Sequence, residues 1–424
     1  MYRSGPDSGR SATEGEHMTC VNPDDGTSTP APGPSAGAPR TQPSHGAPVP
    51  PGAPRVLISG ASVAGPALAY WLCRYGFRVT VVERAPALRA GGQAVDLRGP
   101  ALDVAARTGV LDLLREHATG VRGMSVLDRD GNETQRTTDA TTTGGRLDRD
   151  DLEVLRDDLS RILVDAAGQD VEYLFDDSIA RIEERPGHAR VGFAGGAERT
   201  FDIVVGADGV HSHTRSLVFG PEHRCLRRLG GCVGVWTAPN FLGLDRWQVA
   251  YETGDDDAWG ALVTSVRKNT ELRVHVGLNR LEGELPRARE DRKRLLAERY
   301  ADAGWELPRL LSHMWEAPDF HCDIGAQIHL RSWSRGRVVL LGDAAYCGSP
   351  ASGQGSSMAL VGAYVLAGAL RAAPGDPRAA FDAYERELRG WVTANQALAE
   401  RHMDGAGVDD HFYSVVDGFT VRDH

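Results

Sequence analysis

The chain has 424 residues, 41% apolar and 25% charged, which suits a globular protein with room for two domains. A formal net charge of -11 argues against nucleic acid or an anionic membrane as partner, because such a surface repels phosphates except where local backbone dipoles override it. Six scattered cysteines with no C-x-x-C pair read as reduced thiols of a cytoplasmic protein, and every long apolar run is interrupted by Gly, Arg or Asp before it reaches the length of a membrane span.

Residues 1–54 are rich in Pro, Gly, Ser and Thr and have no apolar leader, so they are expected to be a disordered tail, with Met18 as an alternative start. Residues 56–84 then read as strand, tight turn, apolar-faced helix and second strand. The turn has G-x-S-x-x-G spacing. Gly60 lets the chain bend, Gly65 lets helix and strand approach, and Ser62 replaces the usual middle glycine with another small residue. Free amides at the helix start suit a pyrophosphate, and Glu83 ends the second strand where a ribose hydroxyl would lie. Small residues also pack turns that hold no ligand, so the motif needs company.

Gly91 and Gly92 break the chain before a short extended piece with Asp96 and Arg98, which is either near a bound cofactor or a surface salt bridge. Residues 101–117 have helical periodicity, and residues 125–137 read as a hairpin around Gly131 and Asn132 in a sheet other than the parallel one. Residues 149–167 read as a helix with Arg156 near its start. Arg156 is then either a cofactor contact or a solvated partner of Asp157 or Asp158. A β-branched strand over 201–206 runs into Gly206, Ala207, Asp208 and Gly209, which would also serve as an ordinary turn.

Residues 226–278 change character. Short alternating runs at 232–237, 246–252, 259–265 and 272–278 predict an antiparallel sheet carrying Trp236, Trp247 and Trp259, any of which could line an apolar pocket or sit in the core. Helices are expected over 287–303 and 305–315. A buried strand over 337–343 ends at Gly342 and Asp343. It is followed by Pro350, Gly353, Gln354 and Gly355, and then by a small-residue helix starting near Ser356 whose free amides favour an anion. A final helix spans 381–403, and the rest is an irregular tail. No metal-ligand spacing stands out, and His211, His213, His321 and His329 read as structural or surface residues.

The order G-x-S-x-x-G with Glu83 and Arg84, then GADG with Ser212 and Arg215, then GDAA and GQG, resembles the FAD-dependent aromatic hydroxylases of the para-hydroxybenzoate hydroxylase family, within the branch of tetracycline-inactivating monooxygenases. That resemblance implies an α/β fold: a Rossmann-like FAD-binding domain over 55–225 and 325–404, a mixed or antiparallel β-sheet substrate domain over 226–324 joined by the hairpin near 123–140, a C-terminal helix, and a tail over 405–424. It further implies that Gly60, Ser62, Gly65, Glu83 and Arg84 bind the ADP end of FAD. Asp96, Arg98, Arg156, Asp208, Gly209, Gly342 and Asp343 would touch the cofactor elsewhere, and Pro350, Gly353, Gln354, Gly355 and Ser356 would pass the flavin ring. Tyr346 and Ser356 depart from the histidine and asparagine common in relatives.

The activity so implied is NAD(P)H- and O2-dependent oxygenation of a bulky aromatic or polyketide-like molecule through a flavin C4a-hydroperoxide, with NAD(P)H binding transiently. An FAD oxidoreductase without oxygen insertion and a non-catalytic nucleotide-dependent binding protein are the alternatives. Substrate, nicotinamide preference and oligomeric state are not indicated.

Overall fold

The computed structural model describes residues 52–255, 257–281, 283–403 and 408–424. Most of the expected N-terminal tail, with Met18 and Cys20, lies outside the described residues. The fold is α/β: a Rossmann-like domain, a second mixed β-sheet domain and C-terminal helices.

One sheet has six strands. Arg55–Ser59 lies between Ile203–Gly206 and Arg78–Glu83, with Val338–Leu340 and Val171–Phe175 flanking them, all parallel, and Ser334–Arg335 as an antiparallel edge. Its central strands are apolar on both faces because both faces are covered. On one side helices Ala64–Arg74, Gly355–Ala372 and Pro377–Met403 form the main core with the sheet. On the other lies a three-stranded meander, Ile179–Arg185, His188–Phe193 and Glu198–Phe201, which adds to the elements expected from the sequence.

Helix Gly355–Ala372 is long and apolar enough to cross a membrane by length and composition, contrary to the expectation that no segment would be. Here it is a core helix, buried over 78% of its length. Its small residues let it pack closely against its neighbours.

The second sheet has seven strands in the order His321–Ile328, Leu226–Pro239, Glu271–Leu278, Ala258–Val266, Gln248–Tyr251, Met124–Leu127 and Glu133–Thr137. All neighbours are antiparallel except the parallel pair Gln248–Tyr251 and Met124–Leu127, through which the predicted hairpin joins. Because side chains alternate along a strand, Trp236, Val249, Val263, Val274 and Val276 share the face covered by helices Arg289–Arg299 and Leu307–Glu316.

Three elements differ from expectation. The helix expected over 101–117 is two, Pro100–Thr108 and Leu111–Glu116, because Gly109 takes a left-handed conformation with φ 76°. The helix expected from 149 begins at Arg156. Leu152–Leu155 is instead a strand paired with Ala94–Leu97, since tertiary pairing overrides a leucine spacing that also fits a helix. In the supposed irregular tail, Asp410–Val416 is a helix capped by Asp409, whose Oδ1 accepts from Phe412 N at 2.8 Å.

Candidate functional site

The first turn is built by close backbone contact. A Cβ on Gly65 would lie 1.9 Å from Gly60 O, and one on Gly60, at φ 109°, would lie 2.4 Å from Ala207 O. The two glycines bring strand, turn and helix together as no larger residue could. No side chain caps helix Ala64–Arg74, and its first turn holds no acid, so its leading amides remain for an anion.

Glu83 sits beside that turn. Its Oε2 accepts from Ala61 N at 2.9 Å and its Oε1 from Ala85 N at 3.0 Å. Arg156 reaches the same place from its own helix, donating to Ser62 Oγ at 3.3 Å and to Gly91 O at 2.8 Å. Ala61, Ser62, Glu83, Leu88, Arg89 and Arg156 thus line one small cleft. Burial, followed by the like charge of Arg89, holds the Arg156 guanidinium below its ordinary range, a strain that an anion in the cleft would relieve. The solvated reading of Arg156 is therefore set aside. Arg84, next to Glu83 in the chain, is exposed.

Asp208 does not point its carboxylate freely at a ligand. It accepts from Ser212 Oγ, and at 2.9 Å from both Thr214 N and Thr214 Oγ1, which fixes the turn and the helix His213–Phe219. Gly209 follows at φ 83° with open space at its Cβ position, so it supplies the turn conformation while its backbone stays approachable. Arg215, fully buried, donates to Ala344 O at 3.1 Å, Val210 O at 2.7 Å and Glu222 Oε2 at 2.8 Å. It ties the second motif to the third.

His211 stands between two carboxylates, 3.0 Å from Glu222 Oε1 and 3.1 Å from Asp323 Oδ1. Asp323 foremost, with Glu222, raises its pKa to about 9 against the opposing effect of burial. A histidine raised in the folded state stabilises fully below its ordinary range near pH 6.5, and that contribution is lost as pH rises through about 9. The His211→Gln variant is accordingly expected to lose less stability than the parent between pH 6.5 and 9.5, as read by urea midpoints; equal losses would exclude His211 as a source of the pH dependence.

The third motif closes the site. Gly342, at φ 61°, faces Ala64 of the first helix, and burial pushes the Asp343 carboxyl above the usual carboxylate range. Ser349 at φ 73° and Gly353 at φ 62° bend the loop holding Pro350, and Gln354 then leads into helix Gly355–Ala372 without a side-chain cap. Ser356, in that helix's first turn, is half-buried. Both polar atoms of the Gln354 amide are buried without a hydrogen-bond partner among the described residues. Such an orphaned amide fits a polar ring edge lying against this loop. With the glycine cradle and the strained Arg156, it makes the residues present a fit for FAD.

Asp96 and Arg98 are not a surface pair. They meet at 3.0 Å with side chains 9% and 2% exposed, and burial pushes Asp96 up to about 8 with Arg98 opposing. Arg98 Nη1 donates to Gly353 O at 2.9 Å and Nη2 to Thr143 O at 2.8 Å. Thr143 Oγ1 in turn accepts from Gln248 Nε2 at 2.8 Å. This chain of contacts shows which face of the seven-stranded sheet looks toward the three motifs: the one bearing Gln248, Thr264, Arg273 and His275.

Two of the three tryptophans expected at the substrate are on the other face. Trp236 is fully buried against helix Leu307–Glu316, donating to Leu310 O at 3.2 Å. Trp247 donates to Ser125 Oγ at 2.9 Å and lines an open outer cleft of about 650 Å³. That cleft is larger than the one at the first turn, but its charges are already paired, Arg122 with Asp245 and Arg136 with Glu133. Trp259, 38% exposed, lies over Gly277 at the edge of the motif-facing side. Aromatic content alone does not assign a face; the alternation of polar residues at 248, 264, 273 and 275 does, and that signal was available in the sequence. His275 is buried, and burial followed by Arg273 lowers it to about 4, so it is neutral at pH 7. Its Nδ1 has no partner among the described residues.

A family model described as an FAD binding domain matches residues 54–398. An uncharacterized protein of Mycobacterium tuberculosis is 48% identical to this chain over 374 residues, covering 87% of this chain and 99% of its own. A flavin-dependent monooxygenase of Legionella longbeachae is 36% identical, covering 81% of this chain and 87% of its own. The crystal structure of tetracycline destructase Tet(51) is 33% identical with a TM-score of 0.78, over 88% of this chain and 99% of its own. CtdE in complex with FAD and a substrate, at 20% identity and a TM-score of 0.68, shares the fold over 84% of this chain and 90% of its own.

Proposed function

The chain belongs to the FAD-binding monooxygenase family related to the tetracycline destructases, and from that premise we propose that it uses NAD(P)H and O2 to oxygenate, by hydroxylation, a bulky aromatic or polyketide-like molecule. The observation that carries this reading is the pairing of an anion-ready glycine turn with a second sheet whose motif-facing side holds buried polar groups, Gln248, Thr264 and the neutral His275 beside Arg273. FAD would be held by Gly60, Ser62, Gly65, Glu83, Arg156 and Asp343, with Asp208 and Gly209 shaping its approach and the loop over 350–356 along its ring. When bound, the cofactor supplies hydride acceptance and oxygen activation.

The chain's own residues orient and exclude water. Arg156 neutralises phosphate charge beside the helix start, and the uncapped amides of Gly355–Ala372 favour negative charge next to the loop. His275 can hold a substrate polar group by its free Nδ1 without carrying a charge into the pocket. No described group of three or more His, Cys, Asp or Glu residues could hold a metal. The FAD-binding part would run over 55–225 and 325–404 and the substrate part over 226–324 with the hairpin, a division supported by the two separate cores. Five free thiols among the described cysteines support a reducing, cytoplasmic setting, and the net charge supports small molecules rather than nucleic acid or membranes as partners.

The purified protein should be yellow, and its NAD(P)H oxidation should rise on adding tetracycline or a related fused-ring polyketide. Label from 18O2 appearing in the product supports oxygenation. Product formed without label would show an oxidoreductase that inserts no oxygen, and a folded protein without flavin absorbance would defeat the reading altogether.

A further inference from the structure

The loop over 350–356 is held from behind by a buried arginine. Arg98 is 2% exposed and follows strand Ala94–Leu97, itself paired with Leu152–Leu155. Its guanidinium fork divides: Nη1 donates to Gly353 O, while Nη2 donates to Thr143 O and pairs with Asp96. Asp151 lies 3.7 Å from Nε, and the Phe412 ring covers the group at 5.4 Å. Ser357 in the following helix staples the same place, accepting from Arg98 N and donating to Asp96 O, both at 3.1 Å. Beyond Thr143 the connection continues to Gln248, which also donates to Thr264 Oγ1 at 3.0 Å on the motif-facing side of the sheet.

We infer that Arg98 is a positioning residue for the loop beside the cofactor ring, and that Gln248 acting through Thr143 ties this loop to the sheet face where substrate lies. The inference rests on the function proposed above. Its physical basis is the geometry of Gly353, whose left-handed conformation ends a single tight turn just before an uncapped helix. The direction of the amides at Gly355 and Ser356 is therefore set by where the Gly353 carbonyl is held. A planar fork holds that carbonyl and Thr143 O on two separate nitrogens, whereas a lysine offers a single nitrogen for both.

Hydrogen–deuterium exchange on the chain stripped of cofactor tests the tie. In R98Q the amides of Gly353, Gln354 and Met358, which donate to Pro350 O, Ser352 Oγ and Gln354 O, should exchange about tenfold faster, the amount expected for losing one hydrogen bond to a charged group. R98K should be intermediate, and the amides of residues 56–59 should not change. Unchanged exchange at Gly353, Gln354 and Met358 in R98Q overturns the inference. If R98Q does not fold, R98K and Q248L decide by the same measurement, and unchanged exchange in both is equally fatal.

The second readout is the two-electron reduction potential of the FAD-loaded protein. Misdirected amides should weaken binding of reduced FAD about tenfold relative to oxidised FAD, a fall of about 30 mV. A stoichiometrically loaded R98Q protein with the parent potential also overturns the inference. Should the parent itself take up no FAD, the proposed function fails, whereas the exchange comparison still decides the role of Arg98.

Discussion

The Gly65→Ala variant is expected to lose FAD binding and to be destabilised by about 3 kcal/mol or more, at the upper end of what overpacking does. The added methyl would sit 1.9 Å from Gly60 O and within 3.3 Å of the Ile58 side chain. Neither can retreat easily. Gly60 N donates to Val82 O at 2.8 Å in the middle of the parallel sheet, and Ile58 is in the core beneath it. Separating helix from strand would also move the helix amides away from any pyrophosphate. Flavin absorbance per mole of protein and the thermal midpoint report the two effects separately. Stoichiometric flavin with an unchanged midpoint in Gly65→Ala would refute the assignment of this turn as the cofactor's anchor.

Replacing Arg215 with alanine should be comparably damaging, by about 3–5 kcal/mol, because two carbonyls lose a charged donor at about 1.5–3 kcal/mol each. Arg215 satisfies two backbone carbonyls and the Glu222 carboxylate, and water cannot substitute at a fully buried position. Because Ala344 directly follows Asp343, its carbonyl links the turn at Asp208 and Gly209 to the end of strand Val338–Leu340. The variant should therefore lose cofactor affinity along with stability. Glu222→Gln removes a charge at a partly exposed site and should have a smaller effect in urea titration. Equal losses in the two variants would mean that the carbonyl contacts contribute little.

The parts of the site that were legible in the sequence are those in which backbone geometry dictates residue type. Gly60, Gly65 and Gly353 are needed for close approach or positive φ, and they carry that requirement visibly in their spacing. Strands buried on both faces, such as Arg55–Ser59 and Ile203–Gly206, announce themselves as β-branched runs. What escaped is what depends on partners distant in sequence. Leu152–Leu155 has a leucine spacing that a helix would share, and only its pairing with Ala94–Leu97 makes it a strand. Trp236 and Trp247 have rings suited to an apolar pocket, yet each faces the helices or the outer cleft because strand parity, not ring chemistry, assigns a side chain to a face. Arg98 and Asp96 read equally as neighbours of a cofactor or as a surface pair, since charge so often marks a surface. Their burial follows from Gly353 and Thr143, residues 255 and 45 positions away from Arg98.

The order of strands in the parallel sheet also bears on how the chain is made. Ile203–Gly206 pairs with Arg55–Ser59 on one edge, but its other edge stays open until Val338–Leu340 exists, roughly 130 residues later. At a synthesis rate of about 5–20 residues per second, that interval is on the order of 10 s. During it an apolar strand edge has no partner, and five strands of the seven-stranded sheet are synthesised before the first sheet can be completed. The loop over 350–356 emerges last of the three motifs, so cofactor capture can be completed only near the end of translation. A nascent chain stalled before residue 338 is accordingly the species in which chaperone dependence and aggregation should concentrate.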